Sequence, residues 1–161
     1  MYHNFEKSRI IVFGCGNILF GDDGFGPELI KYLEKKYKFN DVTFVDAGTS
    51  IRDILFNLSL AETENLKKII VIDVADINKE PGEFIKIDVD EFPKKNIKTF
   101  SMHQAPTSSL LHEIKNKKNI DVKLILVQPY KMPEEVSPGV SDILKRKILE
   151  ISEAIINEIK G

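Results

Sequence analysis

Short apolar runs alternate along this chain with longer segments in which apolar residues recur every three or four positions. The runs are typical of strands that are buried on both faces of a sheet. The longer segments are typical of helices that pack one face onto such a sheet. The pattern predicts strands at residues 9–13, 42–45, 68–72, 83–89 and 122–127. It predicts helices from about Pro27 onward and at residues 51–60, 106–115 and 140–159.

Strands that alternate with helices predict an α/β fold, in which helices cover both faces of a mostly parallel sheet. The 161 residues contain no internal repeat and no evident linker. We therefore expect a single three-layer α/β/α domain over residues 1–161, with a twisted sheet of about five strands. In sheets of this kind, ligands bind beyond the carboxyl ends of the strands.

Acidic residues follow the first three predicted strands. Asp22 and Asp23 end a glycine-rich turn after the first strand, and Asp46 and Asp73 come directly after the next two. Parallel strands would bring these side chains to one edge of the sheet. We select Asp23, Asp73 and His103 as candidate catalytic and metal-ligating residues. Two carboxylates and an imidazole suit a borderline divalent ion, such as nickel, zinc, manganese or iron, that keeps open coordination positions.

Each of these residues also has a plainer interpretation. Asp22 or Asp23 could cap the helix that follows, where a carboxylate is favoured by the helix dipole. Asp73 could be a turn residue at the end of a strand. His103 could lie in an exposed loop or cap a helix. The functional interpretation therefore depends on the convergence of the three side chains.

The glycine-rich turn admits a nucleotide-binding interpretation. Gly14 and Gly16 match the start of a dinucleotide fingerprint, but Leu19 stands where the third glycine belongs. Asp46 could then hydrogen-bond a ribose. Two adjacent aspartates at the end of the turn would repel a pyrophosphate, whereas they suit a metal or proton chemistry.

Two further interpretations concern proteolysis and nucleophilic catalysis. Residues 45–49 (Val-Asp-Ala-Gly-Thr) faintly resemble the Asp-Thr-Gly segment of two-lobed aspartic proteases, although a strand-to-loop turn explains them as well. Cys15 and His103 could act as nucleophile and base. The sequence shows no partner that would orient the histidine, and a small residue packed in a glycine turn is the plainer role for Cys15.

Composition narrows the function classes. Lys and Arg number 23 against 25 Asp and Glu, which argues against a nucleic acid as the main partner. The one cysteine excludes an intramolecular disulfide and a zinc site with several cysteines. No apolar run reaches the roughly 18 residues that span a bilayer, and the polar residues 1–8 lack a signal-peptide core. We expect a cytoplasmic protein.

Four motifs together resemble the hydrogenase maturation endopeptidases, the nickel-dependent proteases that trim the C-terminus of [NiFe]-hydrogenase large subunits. The first and longest is residues 14–26 (Gly-Cys-Gly-Asn-Ile-Leu-Phe-Gly-Asp-Asp-Gly-Phe-Gly). The others are residues 46–49 (Asp-Ala-Gly-Thr), 72–75 (Ile-Asp-Val-Ala) and 101–104 (Ser-Met-His-Gln). Their order and spacing agree with the family from about Arg9 to Ile151.

The resemblance implies a metal site formed by Asp23, Asp73 and His103, the residues already selected. Some family members carry Glu where this chain has Asp23. The implied nickel is carried by the substrate, and another divalent ion such as zinc or cadmium can substitute for it in vitro. Two carboxylates and one imidazole should bind nickel only moderately, which suits a metal that remains with the substrate.

The resemblance also implies the reaction and the partner. The expected enzyme is an endopeptidase that removes a short C-terminal extension, after a basic residue, from a large-subunit precursor that already holds nickel. Either nickel activates the water or a carboxylate acts as general base, as in an aspartyl protease. The expected protein is a monomer that needs neither nucleic acid nor membrane insertion. The alternative is a non-catalytic nickel-sensing chaperone for the same large subunit.

Residues 128–141 resemble the branch of the family that serves coenzyme F420-reducing hydrogenases. The segment is rich in proline, with Pro129, Pro133 and Pro138. A rigid connection before the last helix would have the same composition. Both interpretations stay open at the level of the sequence.

Overall fold

Six strands form the sheet of the computed structural model, which describes residues 5–94, 98–99 and 107–161. They are β1 (Ile10–Cys15), β2 (Val42–Gly48), β3 (Lys68–Asp76), β4 (Phe84–Asp88), β5 (Lys98–Thr99) and β6 (Asp121–Val127). Five of them lie in the order β2-β1-β3-β6-β4, and β5 pairs with the end of β3. All pairings among β2, β1, β3 and β6 are parallel, and β4 is antiparallel to β6. The predicted α/β class and mostly parallel sheet are confirmed.

Within the described residues, five α-helices accompany the strands, and the last two follow β6. The helices are α1 (Phe25–Lys36), α2 (Ile51–Leu60), α3 (Thr107–Lys118), α4 (Asp142–Lys145) and α5 (Ile148–Lys160). The bounds of α2 agree with the prediction, and α1 begins two residues before Pro27. Over the described part of the chain, none of these helices has the length and apolar character needed to cross a membrane.

The prediction of one long helix over residues 140–159 is wrong, because a turn at Arg146 and Lys147 separates α4 from α5. At this turn the Lys147 amide donates to the Leu144 carbonyl, three residues back, at 3.0 Å. The turn also packs on the backbone of Gly82, where an added Cβ would lie 2.9 Å from Lys147 Cγ. The apolar spacing continues through the break, so periodicity alone could not reveal it.

Both faces of the sheet are buried, as the three-layer prediction requires. Along β3, Ile69 and Val71 belong to one apolar core while Ile70 and Ile72 belong to the other. Helices α2 and α3 contribute to the first core, and α1, α4 and α5 contribute to the second. Alternate residues of a strand point to opposite faces, so an unbroken apolar run fills both cores.

A tight turn joins the end of β1 to α1 and includes a single 3-10 turn, Gly21–Gly24. Gly16 has a φ of 137°, and a Cβ there would collide with the backbone oxygen of Asp23. A Cβ on Gly14 would lie 2.5 Å from Ile30 Cγ1 and would also collide with the Gly26 carbonyl oxygen. Glycine therefore lets α1 lie directly on β1 and brings Asp23 back to the end of that strand.

The carboxylate of Asp22 fixes this turn to a distant segment of the chain. Asp22 is fully buried. It accepts hydrogen bonds from the amides of Tyr130 (2.8 Å), Lys131 (2.7 Å) and Ser141 (2.6 Å), and from the Ser141 hydroxyl (3.0 Å). Gly24 occupies the N-cap position of α1, and no side chain caps that helix. The interpretation of Asp22 as a helix cap is therefore wrong, because its carboxylate holds the loop between β6 and α4.

Where the parallel strands begin, at the end of the sheet away from the glycine-rich turn, ion pairs join β4 to α3 and β6. Asp88 accepts from Lys115 at 2.8 Å and lies 3.4 Å from Lys123. Partial burial raises the pKa of Asp88, but the hydrogen bonds from Lys115 and from the Asp90 amide, with the charge of Lys115, outweigh burial and lower it to about 2. The ordinary value is 3.8, so the charged form of Asp88 stabilises the folded state.

We expect Asp22→Asn to lower the free energy of unfolding by about 2–4 kcal/mol, because an amide group would point its own N–H at buried donors. Ser141→Ala is the graded control: it removes one of the four hydrogen bonds and should cost only about 0.5–1.5 kcal/mol. Urea unfolding followed by circular dichroism measures both. Equal stability of Asp22→Asn and the wild type would contradict the assigned role.

We expect Asp88→Asn to lower the free energy of unfolding by about 1–2 kcal/mol at pH 7. Because the pKa of Asp88 is lowered on folding, its contribution is complete above the ordinary pKa and is lost as the pH falls toward about 2. The free energies of unfolding of the wild type and of Asp88→Asn should therefore converge as the pH falls from 5 to about 2. Glu62→Gln, at an exposed loop position, is the control. If the difference in free energy of unfolding between the wild type and Asp88→Asn stayed constant with pH, the proposed effect of the Asp88 pKa would be refuted.

Candidate functional site

The carboxyl edge of the sheet carries acidic residues on both sides of β1. Gly14 of β1 is in register with Asp46 of β2 and with Ile72 of β3. Asp73 is one residue beyond Ile72, next to the end of β1 at Cys15. The structure thus places Asp46 and Asp73 on the two strands that flank the glycine-rich turn, at the edge where parallel α/β sheets bind ligands.

Asp23 reaches this edge from the turn itself. It lies in the 3-10 turn before α1, with 9% of its surface exposed. Its Oδ2 accepts the backbone amide of Asn17 at 3.0 Å. Its backbone lies against Gly16, at the point where β1 ends. The carboxylate is therefore held by the backbone of the same turn that positions it.

Asp73 lies inside β3 and not at its end, since the strand continues to Asp76. It is fully buried. Its Oδ1 accepts the Val74 amide at 2.9 Å. By alternation it shares the sheet face of Val71 and Ala75, which α2 and α3 cover. The interpretation of Asp73 as a turn residue at the end of a strand is therefore wrong, and a buried carboxylate interrupts the apolar run of β3.

The Cys15 thiol lies among these acids. Burial raises its pKa well above the usual range, and the negative charges of Asp73, Asp23 and Asp46 raise it further. Three carboxylates thus act on one buried atom. A nucleophilic cysteine needs a lowered pKa. The thiol is therefore a packed, protonated group, and the nucleophile interpretation of Cys15 is not supported.

Asp46 has a local structural role. Its side chain is exposed, and Oδ1 accepts the Gly48 amide at 3.0 Å. The register of β1 and β2 shifts here, so that Gly14 faces Asp46 while Cys15 faces Gly48. Such a bulge bends a strand end. The resemblance of residues 45–49 to an aspartic-protease segment is therefore explained by a strand-end turn.

The turn between β1 and α1 also argues against the interpretation of this segment as a nucleotide-binding loop. A Cβ on Gly26 would collide with the Cys15 carbonyl oxygen and lie 2.7 Å from its amide nitrogen. In a dinucleotide fingerprint one glycine serves close packing of helix and strand, and another leaves room for a pyrophosphate at the helix N-terminus. Here Gly14 and Gly26 bring helix and strand together, and a 3-10 turn with two aspartates precedes the helix.

The third selected residue, His103, lies outside the described residues. It comes four positions before Thr107, the first residue of α3. Within residues 5–94, 98–99 and 107–161, no group of three His, Cys, Asp or Glu side chains is arranged to hold a metal ion. The structure therefore brings together Asp23 and Asp73, and the place of His103 in the site stays a prediction.

Sequence reasoning missed Asn17 and the loop between β6 and α4. Asn17 contributes a backbone amide to Asp23, which any residue except proline supplies, so no sequence signal marks it. The loop contributes the amides of Tyr130, Lys131 and Ser141 to Asp22. Their partner is more than a hundred residues away, and backbone donors leave no trace in the sequence.

Comparisons with known proteins agree with this architecture. Residues 27–158 match the HycI family of hydrogenase maturation proteases. The chain is 42% identical over 157 residues to the coenzyme F420 hydrogenase subunit delta of Methanothermobacter thermautotrophicus, covering 94% of this chain and 95% of that protein. It is 40% identical over 157 residues to a Methanocaldococcus jannaschii protein that is provisionally named a hydrogenase maturation protease, covering 96% and 99%.

A solved structure has the same fold. The [NiFe]-hydrogenase maturation protease HycI of Thermococcus kodakarensis superposes with a TM-score of 0.75 at 25% identity, covering 96% of this chain and 94% of that one. The family match extends over most of the chain, and the two relatives align over nearly all of it. The chain therefore belongs to the hydrogenase maturation proteases, a family of endopeptidases.

Proposed function

We propose that this protein cleaves one peptide bond in the precursor of a [NiFe]-hydrogenase large subunit and so removes a short C-terminal extension after nickel has been inserted. The observation that carries the proposal is the convergence of Asp23 and Asp73 at the carboxyl edge of the sheet, around Cys15. Membership of the family supports the reaction class. His103, which is selected from the sequence alone, adds a nitrogen to the proposed set of metal ligands.

In this proposal Asp23, Asp73 and His103 engage the nickel that the precursor carries. Carboxylate oxygens and an imidazole nitrogen are suitable ligands for nickel. The two described carboxylates fit this role because backbone amides of Asn17 and Val74 orient them. Orientation of ligands by neighbouring donors is what gives a metal-binding site its geometry. Only a loaded precursor would then be held with its scissile bond in place.

The chemical step adds water across the amide bond. The carbonyl carbon gains the hydroxyl group, and the departing nitrogen gains the proton. The enzyme residues would hold the substrate's metal and the scissile bond in one orientation, which is a large part of catalysis. Either the metal or one of the two carboxylates activates the water.

The F420-reducing hydrogenases supply the first precursor to test. The relative from Methanothermobacter thermautotrophicus carries the name of a subunit of coenzyme F420 hydrogenase. Residues 128–141 resemble the same branch of the family. We therefore propose that the substrate is the large-subunit precursor of an F420-reducing hydrogenase.

The test is the intact mass of that precursor after incubation with the protein, with and without nickel loading. We expect loss of a short C-terminal peptide from the loaded form alone. Asp23→Asn and Asp73→Asn should reduce kcat/KM by at least about 100-fold, since each removes a proposed metal ligand. His103→Ala should abolish cleavage.

Asp46→Asn is the matched control, because it removes a charge at the same edge while its remaining oxygen can still accept the Gly48 amide. It should cleave at close to the wild-type rate. Melting temperatures of all four variants separate lost chemistry from lost folding. Wild-type activity in well-folded Asp23→Asn and Asp73→Asn would contradict the site. Binding of the loaded precursor without any change of mass would contradict the protease function and favour a chaperone.

A further inference from the structure

Large apolar side chains are exposed beside the glycine-rich turn. Among the described residues, seven large hydrophobic side chains are exposed, and four of them lie on two neighbouring segments. These four form what we call the turn–loop patch: Ile18, Leu19, Tyr130 and Val136, which are 44–63% exposed. The other three are Phe56, Leu60 and Leu149 on α2 and α5. Exposed apolar residues that gather in one place are typical of interaction sites, whereas single ones are ordinary.

Backbone hydrogen bonds hold the two segments of the patch side by side. The Ser137 amide donates to the Leu19 carbonyl at 2.8 Å, and the Gly21 amide donates to the Ser137 carbonyl at 2.9 Å. The Asp22 amide donates to the Lys131 carbonyl at 3.0 Å. The buried Asp22 carboxylate adds its four bonds to the same loop. The patch is thus a surface with a fixed backbone, which reduces the entropy lost on binding.

The patch is continuous with the candidate site. Asn17, whose amide holds Asp23, immediately precedes Ile18. Ile18 also packs over the residue that follows Asp23, since a Cβ on Gly24 would lie 3.0 Å from the Ile18 Cα. A protein that covers the patch would therefore lie next to the turn that holds the Asp23 carboxylate.

Charge indicates what kind of surface would cover the patch. Within the loop of the patch, residues 128–141, the exposed charged side chains are Lys131, Glu134 and Glu135. Two acids against one lysine give the rim of the patch a negative charge, and the candidate site beside it is also acidic. A second copy of this chain, placed on the patch by a two-fold axis, would bring the same acids together. A basic-rimmed partner is complementary.

We infer that the turn–loop patch is the docking surface for the precursor, and that it receives an apolar area flanked by Lys or Arg. This inference rests on the proposed function. The patch contributes affinity by burial of apolar side chains, and the acids of the rim contribute attraction at a distance. Neither takes part in the cleavage step. The structure therefore separates recognition of the precursor from the chemistry at Asp23 and Asp73.

The experiment compares kcat and KM of precursor cleavage, and Kd by biolayer interferometry, for Ile18→Ser/Val136→Ser and the wild type. We expect KM and Kd to rise by about 10-fold or more, as for central apolar contacts of an interface, while kcat stays near the wild-type value. Leu60→Ser/Leu149→Ser is the matched control, because it removes two exposed leucines on α2 and α5, outside the patch. It should leave both constants unchanged.

The rim is tested with Glu134→Gln/Glu135→Gln. This variant should raise KM at low ionic strength, and the difference should disappear in about 0.5 M salt, where charges are screened over a few ångströms. Unchanged constants in Ile18→Ser/Val136→Ser would overturn the docking role even if the wild type cleaves normally. The docking role would also be overturned if sedimentation showed that the wild type is a dimer and that Ile18→Ser/Val136→Ser is a monomer.

The failure of the docking role and the failure of the proposed function remain distinguishable. If the wild type binds the loaded precursor without cleaving it, the protease function fails, and the Kd values of the same variants still decide the docking role. If the wild type neither binds nor cleaves it, both are overturned.

Discussion

The buried carboxylate of Asp22 is the interaction on which the candidate site depends. Burying an acid is unfavourable unless hydrogen bonds replace its water. Here three backbone amides and one hydroxyl, from Tyr130, Lys131 and Ser141, supply these bonds. Loss of any part of the arrangement would leave polar groups buried without partners. The turn after β1 and the loop before α4 therefore keep one relative position, and Asp23 and the turn–loop patch depend on it.

Two adjacent aspartates thus have different tasks. In a 3-10 turn, successive side chains point about 120° apart. Asp22 consequently points toward the loop, while Asp23 accepts the Asn17 amide on the side of the sheet edge. A sequence pattern does not distinguish two neighbouring residues of the same type. The geometry of this short turn does: Asp22 stabilises the fold, and Asp23 lies at the candidate site.

The two edges of the sheet differ in how their charges are arranged. At the amino-terminal ends of β3 and β6, acids and lysines alternate, and Asp88 is a strong partner of Lys115. At the carboxyl ends, Asp23 and Asp73 share their surroundings with a protonated thiol and accept backbone amides. Like charges held close together are unfavourable, and such arrangements gather at functional sites.

The relation between sequence and structure differs between the fold and the site. The buried strands were predictable, because a parallel sheet covered on both faces needs continuous apolar runs such as residues 69–72. The gathering of acids at one edge followed from the direction of those strands. The break at Arg146 and Lys147 was not predictable, because the apolar spacing continues across it. The residue that packs against the break, Gly82, is far from it in the sequence.

The sequence by itself determined the α/β architecture, the motifs that identify the family and the edge at which the acids gather. Local periodicity and strand direction are properties of neighbouring residues, so they can be read along the chain. Only the tertiary structure decided that Asp22 serves the loop, that Asp73 lies within a strand and that four exposed apolar side chains form one surface. Each of these depends on contacts between distant segments, many of them made by backbone groups that every residue carries.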